Sequence, residues 1–186
     1  TAPGVGPAWE KTGVPVPGAA RKGEDTMQEH GLKISELVTL FNLEVLNRGS
    51  DYDTALLTIT DVNRPGLQFH SFYDYFDPRR LQVLGKAEIT YLKGLTTEQR
   101  RKCFDDLFLY DIPALVISRG LDCFPECLES ARVHERTLLR TEETTVEFTS
   151  HTIEYLNRVL APCVTRHGVL LDISGEGVMI TGDSGI

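Results

Sequence analysis

The sequence predicts an α/β layer fold, and three observations carry the prediction. From residue 27 to about residue 140, short apolar runs alternate with stretches of helical periodicity, the pattern of strands joined by crossover helices. Residues 112–118 are almost continuously apolar, as a strand buried on both faces of a parallel sheet must be. Glycine and proline punctuate the runs at Arg64-Pro65-Gly66, Gly85 and Arg119-Gly120, where strands should end.

The elements follow in order. Residues 1–26 interleave Pro3, Pro7, Pro15 and Pro17 with Gly4, Gly6, Gly13 and Gly18 and hold no sustained apolar period. Such a segment buries too little surface to offset its ordering entropy and is expected to be disordered. Met27 then opens a stretch that reads like a bacterial N-terminus, so the leader is expected to be translated upstream sequence or a tag remnant. Ile34, Leu37, Val38 and Phe41 lie at helical spacing, with a short strand to Leu46 and another at 55–60. A strand at 81–84 precedes helices at 87–92 and 97–109, the second opened by Thr96 with Gln99 three residues on. After the 112–118 strand come a helix at 125–133 and a short strand at 137–140. The longest helix, 144–160, carries Val146, Phe148, Ile153, Leu156 and Leu160 mostly on one face and stops at Pro162.

This organisation divides the chain into a leader (1–26), an α/β domain (27–143), a linking helix (144–163) and the start of a second unit (164–186). That unit opens with two β-rich runs, 167–173 and 178–181, around Ser174-Gly175-Glu176-Gly177, a hairpin pattern. Its Val169, Leu171, Val178 and Ile180 have no covering layer in this sequence. The hairpin is therefore expected to be poorly ordered or adhesive.

Composition narrows the function. A formal net charge of −8 over 186 residues argues against a nucleic-acid footprint, which needs a basic excess. No apolar run approaches the ~20 residues that span a bilayer. Cys103, Cys123, Cys127 and Cys163 contain no Cys-x-x-Cys pair and no neighbouring His at zinc spacing, so no metal site is expected among them. Free thiols without a signal peptide suit a reducing cytoplasm.

The chemistry concentrates at the end. Gly182-Asp183-Ser184-Gly185-Ile186 follows a strand and matches the first five positions of a Walker A loop, whose backbone N–H groups converge on phosphates. The Gly-Lys-Ser/Thr that makes the motif specific does not follow in this sequence, and ordinary turns also use Gly-Asp-Ser-Gly. His167, at the start of a strand and followed by Gly168, is the second candidate, with a hydrogen-bonded strand-end histidine as the alternative. A hydrolase set would need Ser184 with His167 or His151 and Asp172 or Asp183, but the spacing around Ser184 is wrong for a nucleophile elbow.

With these segments in place, the chain resembles the front portion of bacterial HPr kinase/phosphorylase. Three stretches carry the resemblance. The first joins Arg64-Pro65-Gly66-Leu67, Phe72-Tyr73-Asp74-Tyr75-Phe76, Arg80-Leu81-Gln82-Val83-Leu84-Gly85 and Glu88-Ile89-Thr90-Tyr91-Leu92. The second is Ile112-Pro113-Ala114-Leu115-Val116-Ile117-Ser118-Arg119-Gly120-Leu121. The third runs from His167-Gly168-Val169-Leu170-Leu171-Asp172-Ile173 through Val178-Met179-Ile180-Thr181 into Gly182 to Ile186. Arg166 stands where a small or apolar residue was expected.

The resemblance implies an N-terminal α/β domain like that of muramyl ligases, then a linking helix and the first β-hairpin of a P-loop kinase domain. It implies ATP- and Mg²⁺-dependent phosphorylation of a serine of HPr, the phosphocarrier of the sugar phosphotransferase system. The reverse phosphorolysis releases pyrophosphate, and the assembly is a hexamer built through the kinase domain. His167 corresponds to an active-site histidine, and Gly182, Asp183, Ser184, Gly185 and Ile186 to the first part of the ATP loop. Loop lysine and metal ligands are absent, so this chain alone is expected to be inactive. The competing reading is a non-catalytic sensing or scaffold module that reuses the N-terminal domain.

Overall fold

Successive parallel strands linked by right-handed crossovers place their connections on one face of a sheet, and this rule organises the molecule. The computed structural model describes residues 31–162, 168–173 and 175–181. The strands are β1 (Leu32–Lys33), β2 (Glu44–Asn47), β3 (Leu56–Leu57), β4 (Val62–Asn63), β5 (Leu81–Leu84), β6 (Leu115–Ile117), β7 (Leu138–Arg140), β8 (Gly168–Ile173) and β9 (Glu176–Thr181). The helices are α1 (Ile34–Leu40), α2 (Lys86–Lys93), α3 (Thr97–Phe108), α4 (Pro125–Val133) and α5 (Thr145–Val159), and a 3-10 turn covers Gln68–His70.

The main sheet has five strands in the order β2-β7-β6-β5-β4. β4 to β7 are parallel, and β2 joins β7 antiparallel, so the sheet is mixed. Side chains alternate across it. Leu84, Leu115, Ile117 and Leu138 face a core made with Ile89 and Leu92 of α2, Phe104 and Leu107 of α3, and Cys127 and Ala131 of α4. Leu81, Val83, Val116 and Leu139 face the other core, where Ile34 and Leu37 of α1 meet Phe148 and Leu156 of α5. The three crossover helices thus share one face, while the first and last helices cover the other. The 144–160 helix, read from sequence as a bridge, is itself a layer of this unit.

Local chemistry explains the helix ends. Thr96 Oγ1 accepts the Gln99 N–H at 3.3 Å while Gln99 Oε1 accepts the Thr96 N–H at 3.0 Å, the capping box expected from sequence. Thr144 and Glu147 repeat the device on α5. Pro125 occupies the first position of α4, where its missing N–H costs nothing.

Some elements differ from expectation. The strand anticipated at 55–60 is only β3, Leu56–Leu57, which pairs with β1 in a separate two-stranded sheet. The strand that enters the main sheet is β4, Val62–Asn63, just before the Arg64-Pro65-Gly66 break. The strand anticipated at 112–118 shortens to Leu115–Ile117, all three residues buried. A two-residue strand carries no periodicity of its own, and long-range pairing alone defines it.

β8 and β9 form an antiparallel hairpin, with Gly175 at φ 87° in its turn. Both of its faces are open: Leu170 is 73% and Ile180 57% exposed.

Candidate functional site

The residues singled out in the sequence, His167 and Gly182 to Ile186, lie outside the described residues. The hairpin that connects them is described, and its register pairs Gly168 with Thr181. The next residue back along the chain from Gly168 is His167, and the next one on from Thr181 is Gly182. At the other end of the hairpin, Asp172 Oδ1 accepts the Gly175 N–H at 2.8 Å, so this carboxylate serves the turn. His151 Nδ1 is 3.1 Å from Glu143 Oε2 on the α5 side of the first domain. Two side chains considered for a hydrolase set therefore have local partners.

Within the first domain, the place to look is the carboxyl edge of the parallel strands, where open α/β sheets bind ligands. β5, β6 and β7 end there in Leu84-Gly85, Ile117-Ser118 and Arg140-Thr141. Ser118 Oγ donates to the Leu84 carbonyl at 2.9 Å and lies 2.7 Å from Thr145 Oγ1 at the start of α5. With Ser118 donating to the carbonyl, the Thr145 hydroxyl donates to Ser118. The Gly85 N–H and Arg64 Nη2 both donate to Glu88 Oε2, each at 2.9 Å. A Cβ on Gly85 would stand 2.6 Å from Thr145 Oγ1, so only glycine lets α5 approach this closely.

Two more backbone donors at this edge are spent internally. Arg119 and Gly120 both take positive φ, 64° and 57°. Their N–H groups donate to the carbonyls of Glu143 and Thr141, each at 2.8 Å. A phosphate cradle needs several convergent N–H groups that are free. Here the donors hold the β7–α5 connection against the end of β6. The edge is a clasp between sheet and helix rather than an open binding crevice.

Clefts on the described surface include two of similar size. One, about 190 Å³, lies between the 3-10 turn and α3 and is lined by Phe69, Tyr91, Lys102, Cys103 and Asp106. Lys102 Nζ donates to Asp106 at 2.7 Å, and the Cys103 thiol donates to the Phe69 carbonyl at 3.4 Å. Burial pushes the Cys103 thiol above its ordinary range, which leaves it a poor nucleophile. The second, also about 190 Å³, is lined by Asp51, Arg79 and Asp111 among others. Arg79 is paired with Asp77 and Arg136 with Asp111, while burial raises the Asp51 carboxyl. Among the described residues, no group of three or more His, Cys, Asp or Glu side chains is arranged to hold a metal ion.

The sequence reading did not foresee the Ser118–Thr145 and Arg64–Glu88 contacts. The available signal was a serine ending an apolar run and a glycine ending a strand, but neither names its partner.

These elements define a three-layer α/β domain on a mixed sheet, followed by an exposed hairpin. Residues 32–156 match the family described as HPr Serine kinase N terminus, and the chain belongs to that family. It is 44% identical over 155 residues to an HPr kinase/phosphorylase of Alkaliphilus metalliredigens, covering 83% of this chain and 50% of that protein. It is 43% identical over 156 residues to an HPr kinase/phosphorylase of Clostridium beijerinckii, covering 84% of this chain and 51% of the relative. The chain thus spans about half the length of the curated relatives it matches. A solved structure of the CBS and DRTGG domains of the regulatory region of Clostridium perfringens pyrophosphatase, complexed with the activator diadenosine tetraphosphate, is similar at a TM-score of 0.47 and 15% identity, covering 69% of this chain and 48% of that one.

Proposed function

We propose that this chain is the front part of a bifunctional enzyme that phosphorylates a serine of HPr with ATP and reverses the reaction by phosphorolysis. The observation that carries the reading is the family match over residues 32–156, together with the HPr kinase/phosphorylase name borne by relatives at 43–44% identity. The hairpin supports it. Antiparallel pairing of Gly168 with Thr181 brings together the two ends from which the His167 and Gly182 segments continue.

In this reading the first domain is the muramyl-ligase-like module, and β8 and β9 begin the P-loop kinase domain. His167 orients phosphate groups, and the backbone N–H groups of Gly182 to Ile186 begin the ATP loop. ATP and Mg²⁺ find no complete site in the described part. Its parallel-strand edge is consumed by internal hydrogen bonds, and no metal-holding cluster lies among the described residues. HPr, ATP, phosphate and pyrophosphate are the partners, the assembly is a hexamer, and the compartment is the cytoplasm. Among the described residues no helix is long and apolar enough to cross a membrane.

The 186-residue chain contains no Gly-Lys-Ser or Gly-Lys-Thr, so the chain by itself is inactive: nothing supplies the loop cation or the metal-binding hydroxyl. The test is phosphotransfer to HPr from γ-labelled ATP, with this chain and with a longer form carrying the rest of a relative's kinase domain. Labelled HPr only with the longer form is expected. Turnover by the 186-residue chain itself sinks the account of the missing groups, and no turnover by either sinks the kinase assignment.

A second reading, a non-catalytic sensing or scaffold module, is favoured by one observation. The described first domain closes its own ligand edge through Ser118, Thr145 and the Arg119-Gly120 N–H groups. Unchanged activity of the longer form when this domain is deleted favours that role for the domain.

A further inference from the structure

Helix α3 spends most of its charged side chains on holding α4. Arg100 pairs with Glu126 and Arg101 with Glu129, and Asp105 accepts from Ser130 Oγ. Lys102 and Asp106 are different. Among the described residues they hydrogen-bond only to each other, Nζ to Oδ2 at 2.7 Å. Both line the cleft of about 190 Å³ beside the 3-10 turn. Gln99, Lys102, Cys103 and Asp106 stand three or four residues apart, so a single face of α3 forms this wall.

The rest of the cleft is held in place by its own contacts. Phe69, Tyr91 and Leu95 supply apolar lining. Tyr91 stacks on His70 at 4.5 Å, and His70 Nδ1 is 3.1 Å from the Gly66 carbonyl oxygen. Arg100 Nη1 donates to the Leu95 carbonyl at 2.8 Å, which anchors the corner between α2 and α3. Ser71 turns the chain at φ 59°, its N–H donating to the Gln68 carbonyl at 2.9 Å. Three polar side chains of the lining already have partners. Gln68 Nε2 donates to the Phe72 carbonyl, Gln99 caps α3, and the Cys103 thiol donates to the Phe69 carbonyl. The charged feature a ligand meets is therefore the Lys102–Asp106 pair.

An ion pair on the wall of a cleft selects by charge. A net anion is drawn to Lys102 and repelled by Asp106, a net cation meets the reverse, and a zwitterion satisfies both. The space is smaller than the about 300–1,000 Å³ of drug-sized sites, so it suits a small metabolite. We propose that this cleft binds a free α-amino acid with an apolar side chain. The ligand carboxylate pairs with Lys102, its ammonium pairs with Asp106, and its side chain lies against Phe69, Tyr91 and Leu95. Asp106 has a second use for its oxygens. The Tyr73 hydroxyl is buried without a hydrogen-bond partner among the described residues. Burial first, then the charge of nearby Asp106, pushes that phenol above its ordinary range. Once the ligand draws Lys102 away, a carboxylate with about four acceptor sites can serve the ligand ammonium and this orphaned donor together. The site is separate from the sheet edge closed by Ser118 and Thr145, and it does not depend on the kinase reading.

The test titrates the isotope-labelled 186-residue chain with L-leucine at neutral pH, up to about 20 mM, and follows backbone amide shifts by NMR. Saturable shifts around Ser71, Leu95 and Lys102 to Asp106 are expected, with a Kd of about 1 mM or tighter. 4-Methylpentanoate is leucine without its ammonium, and isoamylamine is leucine without its carboxylate. Each should bind roughly tenfold more weakly than leucine. Glycine, which lacks the apolar side chain, should lose at least as much. Lys102→Met and Asp106→Asn should each weaken leucine binding roughly tenfold and leave amide shifts far from the cleft unchanged. Absence of any saturable shift in the cleft overturns the proposal. So does a single-charge analogue that binds as tightly as leucine. Both of these outcomes are read on the wild-type chain and do not depend on either variant folding.

Discussion

The five-stranded sheet and the β8–β9 hairpin are built from the same kind of residue and treat it oppositely. Leu115, Val116 and Ile117 of β6 are buried on both faces between α1 and α5 on one side and α2, α3 and α4 on the other. Leu170 and Met179, paired across the hairpin, are 73% and 52% exposed. Both regions satisfy their backbone ladders, so hydrogen bonding does not distinguish them. Burial does. A hydrogen bond exchanged for one to water contributes little net stability, whereas apolar area removed from water contributes about 25 cal/mol per Å². A ladder with neither face covered is at best marginal.

The largest effect should appear in amide exchange. Amides of β5, β6 and β7 should open only with the whole domain, at a cost of about 5–15 kcal/mol, and those of β8 and β9 within about 2 kcal/mol. Equal, slow exchange in the two regions would remove the contrast. Next in size are paired truncations. Phe148, wholly buried on α5 and edge-on to Phe41 at 5.8 Å, should lose about 3–5 kcal/mol on replacement by Ala in urea unfolding. Leu170→Ala should stay within about 0.5 kcal/mol. A comparable loss at Leu170 means that the hairpin is covered by something in solution.

The smallest expected effect is electrostatic and depends on pH. Arg100, which also lies 5.1 Å over the Phe124 ring, pairs with buried Glu126 at 2.9 Å. The Arg100 hydrogen bond holds the Glu126 carboxyl below its ordinary range. A depressed carboxylate contributes stability above its unfolded value of about 4.3, and this is lost as pH falls through the folded value. Glu126→Gln should therefore cost about 2 kcal/mol at neutral pH, with the difference from wild type fading as pH falls through the lowered folded value. Hairpin exchange should not respond to the substitution. A difference that persists undiminished in acid would show that the glutamate acts through packing instead.

Much of this was legible before any fold was known. The helices at 97–109 and 144–160 announced themselves through Thr96 with Gln99 and through the stop at Pro162. Both signals act within one turn of their own helix. The hairpin was legible from Gly175 between two β-rich runs, because the turn needs the positive φ that glycine supplies at 87°. The clasp at Ser118 was not legible. Its partners, the Leu84 carbonyl and Thr145, lie 34 and 27 residues away, and no local spacing connects them.

By itself the sequence determined the identity of most elements, their caps, the acidic character of the chain and, through the order of its motifs, the family. These depend on interactions a few residues long, which periodicity and turn chemistry record. Tertiary structure alone decided that β2 pairs antiparallel with β7, where Arg140 Nε reaches Glu44 across 96 residues. It also recruited Val62–Asn63 as a strand, made α5 a layer of the sheet, and turned the ligand edge inward. Those outcomes require distant segments to bury one another's apolar faces. Loop closure and complementary packing of the whole domain set that requirement, and no local window of residues contains it.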